Sequence, residues 1–199
     1  MTYWMIVTSP ENYERTRKLR FTQQGVKSRH RRRAERMAPG DRVCWYLTGI
    51  QSFAATATIT SPYFEGHEPI WVSDEEKERG AASPRRATRP ALSVSRGAAA
   101  RLSKTGDTYP WRFKIKKDHA VDPDRAIRAE SLLGKLAHVK RWPKEHWRLA
   151  FQGNVHELDA ADFGVIEEAI AAAGALGSRG GSSGAGAPGR EATAPRWSA

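Results

Sequence analysis

The chain has 199 residues, 39% of them hydrophobic, which suits one folded domain with tails rather than two packed domains. Its net charge of +11 and pI near 10.1 favour polyanionic partners, because cations that replace condensed counterions gain affinity for a phosphate backbone. A single cysteine, Cys44, excludes an internal disulfide and a multi-cysteine zinc site. The opening Met1-Thr2-Tyr3-Trp4 lacks a charged leader and long apolar core, and no stretch reaches the length of a membrane span. A soluble, cytoplasmic protein without membrane contact is the expectation.

Tyr3 to Thr8 is almost continuously apolar and β-prone, as in a central strand covered on both faces. Ser9-Pro10 then opens a helix over Glu11 to Leu19, with Ser9 as cap and proline in the first turn. Phe21 to Val26 reads as a loop or short strand. Behind it, Lys27 to Arg36 carries six Lys/Arg against one acid, an ordinary solvated face or a phosphate contact.

Pro39-Gly40-Asp41 is turn chemistry and opens the central pair of strands. Val43, Trp45 and Leu47 alternate with Arg42, Cys44 and Tyr46. In the second strand Phe53, Ala55, Ala57 and Ile59 alternate with Ala54, Thr56 and Thr58. The alanines leave room for something to pack close, so the sheet is expected to be small and strongly curved.

Residues 73–107 change character, opening acidic and becoming rich in Ala, Ser and Arg with two prolines. A loop of that length inside a domain reads as a disordered insertion, whose positive charge either trails along a nucleic acid or is neutral to function. Tyr109 to Lys117 returns to order as a half-buried strand. Trp111, Phe113 and Ile115 take one face, and Arg112, Lys114 and Lys116 form a cationic stripe on the other.

Beyond Asp122-Pro123, Arg125 to Leu136 reads as partly helical and Trp142 to Trp147 as a short helical turn. Arg148 to Gln152 reads as a last strand. A final helix is capped at Asp159, buries Phe163, Ile166 and Ile170, and ends at Gly174. The domain is thus 1–173, and 174–199 is a flexible low-complexity tail.

Catalytic signatures are absent. The six histidines form no i,i+4 pair, and no nucleophile elbow, phosphate loop or dinucleotide fingerprint occurs. A non-enzyme without metal or cofactor is expected.

In order and spacing, several short motifs resemble those of the EVE domain group of the PUA-like superfamily. They are Thr2-Tyr3-Trp4, Glu11-Asn12-Tyr13, Gln24-Gly25-Val26 with Lys27 and His30, and Pro39-Gly40-Asp41. Tyr109 to Ile115, Phe151-Gln152-Gly153, Glu157-Leu158 and Asp162-Phe163 continue the match across 1–173 outside the insertion. The resemblance implies an α+β fold, a PUA-like curved β-barrel with flanking helices and a cleft. It also implies binding of RNA or DNA and the reading of a modified base in an aromatic pocket. One departure stands out: Gln24 occupies the place where the family pattern has a tryptophan. An amide can hydrogen-bond a base edge but cannot stack as an indole does.

The expected function is a nucleic-acid-binding module that reads one modified nucleobase. Asn12, Gln23 and Gln24 would contact the base edge, and Trp45, Tyr46 and Trp111 would stack. Lys27, Arg29, His30 and Arg112 would face phosphates. The protein would be a monomer, with a nuclease or modification enzyme encoded separately as a partner. Two alternatives remain: a sensor of a free nucleobase or nucleotide in the same cleft, and a protein-interaction module working through the basic insertion.

Overall fold

Asp41 explains why the first strand lies where it does. Its carboxylate is 5% exposed and accepts hydrogen bonds from the Thr2 amide at 2.7 Å, the Trp4 indole at 3.0 Å and the Ala38 amide at 3.1 Å. A buried carboxylate needs such donors to offset its lost hydration. Gly40 precedes it at φ +91°, a conformation open to glycine, and the turn locks β1 (Tyr3–Thr8) parallel to β3 (Arg42–Leu47).

The computed structural model describes residues 1–68, 70 and 108–179. The expected insertion lies outside them, as does the tail beyond Arg179. Among the described residues, the remaining strands are β2 (Gln23–Val26), β4 (Ser52–Ile59), β5 (Phe64–Glu65), β6 (Trp111–Ala120), β7 (Ile127–Arg128) and β8 (Val155–Leu158). They form one curled mixed sheet in the order β2-β6-β4-β3-β1-β8, with β5 on β6 and β7 on β4.

One face of the sheet packs Trp4, Val43, Trp45, Leu47, Ala55, Ala57, Trp111 and Phe113 against Tyr13 of helix α1 (Pro10–Lys18) and Phe21. Ser9 caps α1 as expected, with the Asn12 amide 3.3 Å from its hydroxyl. The Tyr13 hydroxyl donates within reach of two carbonyls, Val121 at 2.8 Å and Ala54 at 3.1 Å. The opposite face packs Met5, Val7, Cys44, Tyr46 and Phe53 against helix α3 (Ala160–Arg179) and a run of 3-10 turns between 123 and 151.

Four expectations need correcting. Phe53 does not share a face with Ala55. Trp45 pairs with Ala55 and Tyr46 with Phe53, so Ala54 is a bulge residue and the alternation resets there. Residues 148–152 are not a strand: a 3-10 segment, Lys144–Phe151, fills that place, and the last strand is β8. Gly174 does not end α3, which continues to Arg179; the alanines at 169 and 171–173 favour helix up to the glycine. Arg112 does not join an outer cationic stripe, because its side chain is buried against backbone carbonyls.

Candidate nucleic-acid interface

The aromatic cage expected from Trp45, Tyr46 and Trp111 is not assembled. Trp45 and Tyr46 are adjacent on β3 and therefore enter opposite cores. Trp45 is fully buried, packs edge-on to Phe21 at 5.5 Å, and donates its indole N–H to Gln24 Oε1 at 3.0 Å. Gln24, also buried, turns its Nε2 to the Gly25 carbonyl at 2.7 Å. Tyr46 is stacked on Phe151 with ring centres 4.5 Å apart, and burial pushes its hydroxyl pKa up to about 12.

Gln24 thus serves the interior in this conformation. It satisfies the buried indole N–H of Trp45 within the core that β2 and β3 share.

Gln23 points the other way along β2 and donates to the Ile70 carbonyl at 3.0 Å. Next to it, Gly25 gives space that no side chain could take, since a Cβ there would stand 2.6 Å from Ile70 Cδ1 and 2.8 Å from Tyr109 Cβ. Tyr109 is held at φ +51°, and its hydroxyl accepts from Asn12 Nδ2 at 3.2 Å. Asn12 and Gln23 are half-buried and both lie beside this loop end. Tyr109, which opens the Tyr109 to Ile115 motif, thereby joins Asn12 and Gln23 at one place.

Arg112, expected to face phosphates, is turned inward. It is 6% exposed, and its guanidinium donates to the carbonyls of Tyr109 at 3.1 Å, Thr108 at 3.2 Å and Glu68. Those carbonyls belong to the two chain ends flanking 71–107, so Arg112 is spent on tying them together. Burial lowers its pKa, consistent with a desolvated cation.

The basic run is where the cations remain accessible. Lys27 leads from β2 into a 3-10 turn at Ser28–His30 and the short helix α2 (Arg31–Ala34). Three anchors fix this segment against the sheet. The Lys27 amide donates to Asn154 Oδ1 at 3.3 Å, the Trp111 indole donates to the Ser28 carbonyl at 2.8 Å, and Arg33 donates to the Val155 carbonyl. Asn154 also donates to the Val7 carbonyl at 3.2 Å, so one buried amide couples β1 to the basic segment. Sequence reasoning missed it; an asparagine following a glycine before a strand is the only local signal.

Arg29, Arg31, Arg32, Arg33 and Arg36 are exposed. Arg31 pairs with Glu35 at 2.8 Å and lies 5.0 Å over the Trp111 ring; Arg36 pairs with Glu157 at 2.5 Å. Arg29 Nε lies 3.1 Å from the His30 ring, and Arg32 has no acid partner among the described residues. The resulting field is felt at His156. Burial lowers its pKa below the ordinary 6.5, and His138, Arg33 and His30 push it the same way, against a hydrogen bond to the Gln152 carbonyl.

Among the described residues, no group of three or more His, Cys, Asp or Glu side chains is placed to hold a metal ion, and no helix is long and apolar enough to cross a membrane.

No family model matches the chain. It is 25% identical over 171 residues to the UPF0310 protein PH1033 of Pyrococcus horikoshii, covering 85% of this chain and 99% of that one. Among solved structures it is similar to the Mmi1 YTH domain, with a TM-score of 0.52 at 10% identity, covering 90% of this chain and all of that one. It is also similar to an Mmi1 YTH domain in complex with RNA, with a TM-score of 0.51 at 11% identity, covering 89% and 81%. At such identities the likeness concerns the fold alone: a curled mixed sheet with flanking helices, of the kind seen in YTH domains.

Proposed function

We propose that the protein binds nucleic acid across the segment from Lys27 to Arg36 and reads a single, modified nucleobase beside it. The observation that carries this is the anchoring of the basic segment. Asn154, Trp111 and the Val155 carbonyl hold its backbone and one arginine, while Arg29, Arg31, Arg32 and Arg36 stay exposed with two acids between them. A fixed row of exposed guanidinium groups matches a phosphate backbone better than a loose basic tail does, because its geometry is set before binding. The solved complex of an Mmi1 YTH domain with RNA, on a similar fold, supports the same class of partner.

In this reading Lys27, Arg29 and His30 face phosphates, and the half-buried amides of Asn12 and Gln23 meet the base edge. Gln24 acts indirectly by holding Trp45, and Trp111 contributes as the surface on which Arg31 lies. Taking a base out of a stack costs a few kcal/mol, which edge hydrogen bonds and contact with Tyr109 would have to offset.

The test is a panel of RNA and DNA oligonucleotides, with and without base modifications, measured at two salt concentrations. Binding that weakens steeply with salt and prefers one modified oligonucleotide is the expected result. Absence of salt-dependent binding removes the function. An unchanged modified-to-plain ratio in Asn12→Ala and Gln23→Ala removes the base-reading role of those amides alone.

A further inference from the structure

Five tryptophans fall among the described residues, and four of them have a covered ring. Arg36 lies 5.4 Å over Trp4, Phe21 packs at 5.5 Å on Trp45, Arg31 lies 5.0 Å over Trp111, and Trp147 meets Phe151 at 5.8 Å and Arg148 at 5.1 Å. Trp142 is the exception: it is 42% exposed and has no ring or cation contact among the described residues. An indole in that position leaves a large apolar surface in water.

The backbone around Trp142 is fixed. It lies between two 3-10 segments, Val139–Arg141 and Lys144–Phe151, with its amide 3.0 Å from the Val139 carbonyl and Pro143 directly after it. The turn leading into it hangs on Asp162, which accepts from the Ala137 and His138 amides at 2.7 Å each. The His138 ring meets the Ala150 carbonyl at 2.8 Å. Clefts open on both sides of the indole, one of about 490 Å3 and one of about 290 Å3.

The rim is cationic. Lys140 and Lys144 line the larger cleft and Arg141 the smaller, and none is ion-paired among the described residues. From Lys140 to Arg148 there are four Lys/Arg and one acid, Glu145. The smaller cleft also includes His156, the same ring that feels the charges of His30 and Arg33. Arg33 of the basic segment donates to the carbonyl of Val155, the residue before His156, so the basic segment and the Trp142 cleft lie on either side of His156.

We propose that Trp142 is a stacking platform for an unpaired nucleobase, with Lys140, Arg141 and Lys144 holding the neighbouring phosphates of the same strand. This rests on the nucleic-acid reading and extends it. A bound single strand would run from α2 past His156 to this indole, so the protein engages unpaired nucleotides at a second place besides the segment 27–36. Charge complementarity selects the occupant: a bare aromatic face ringed by unpaired cations suits a base with its phosphates, and stacking on every base is chemically similar.

The experiment compares the full chain with Trp142→Ala, Trp142→Phe and a Lys140→Gln/Arg141→Gln/Lys144→Gln variant. Each is titrated with single-stranded RNA, single-stranded DNA and duplex of about 12 nucleotides at several salt concentrations. Thermal unfolding confirms that each variant folds. Trp142→Ala is expected to weaken single-strand binding about tenfold with an unchanged salt slope, and Trp142→Phe to restore most of it. The triple variant is expected to reduce the slope by about 2, and duplex binding to be insensitive to Trp142. Comparison of the RNA and DNA arms identifies the natural strand. If the unaltered protein binds no oligonucleotide, the broader function fails and this site with it. If it binds and Trp142→Ala binds single strands equally tightly, this proposal alone is overturned.

Discussion

Arg42 on β3 and the arginines of the 27–36 segment face different surroundings. On β3, Arg42 donates to Asp118 at 3.0 Å and to Glu167, while Thr58 and Thr56 add hydroxyls to the same carboxylates at 2.9 Å and 3.2 Å. Its guanidinium also lies 5.2 Å over the Phe163 ring. That cluster joins β3, β4 and β6 to α3, and its charge is consumed internally. On the 27–36 segment the arginines outnumber their acids, and the anchoring contacts come from backbone and amide groups instead. Net charge alone does not locate an interface. The ratio of cations to partners within a rigid segment does.

The sharpest way to break this comparison is to remove cations from the second group. Lys27→Gln/Arg29→Gln/Arg32→Gln is expected to lower oligonucleotide affinity by roughly tenfold to a hundredfold at 0.1 M salt and to reduce the salt slope by about 2 for a single strand. The melting temperature should barely move, since Arg29 and Arg32 are exposed and none of the three forms an ion pair among the described residues. Unchanged affinity would place the strand elsewhere.

Arg42→Ala is the converse. It leaves Asp118 and Glu167 facing each other without their cation, in side chains about one quarter exposed or less. A stability loss of about 2 kcal/mol is expected, below the value for a fully buried pair because water still reaches these groups. Denaturant unfolding measures it. Oligonucleotide affinity of the folded variant should stay within a factor of two or so of the unaltered protein.

Much of the sheet was legible because its signals are local. The apolar run of β1, the Pro39-Gly40-Asp41 turn and the alternation of β3 and β6 each need only a few residues to read. Phe53 was misplaced because a bulge at Ala54 resets the period, and nothing in an alternating pattern announces a bulge. The segment from 123 to 151 was largely illegible. Its 3-10 turns are too short to show a period, and they are held by distant groups such as Asp162.

The site divides in the same way. The basic run is a composition signal and lay open in the sequence, whereas the role of Arg112 depends on two chain ends folding over it. Placing Trp45 and Tyr46 in one cage contradicted the alternation already read for β3. Neighbours on a strand point to opposite faces, so aromatics adjacent in sequence enter different cores.

The smallest expected effect concerns His156, which lies between the two basic patches. Burial holds its pKa below 6.5, reinforced by His138, Arg33 and His30. The folded state therefore binds a proton less readily than the unfolded chain. Stability is complete above about pH 6.5, falls as pH drops toward the lowered folded-state value, and then levels off. His156→Gln should remove that part of the acid sensitivity. A phosphate bound nearby would favour the charged imidazole and raise its pKa, so adding oligonucleotide should move the His156 resonance titration upward. A titration that stays put on saturation with oligonucleotide would mean that the strand does not pass this residue, and that the two basic patches act separately.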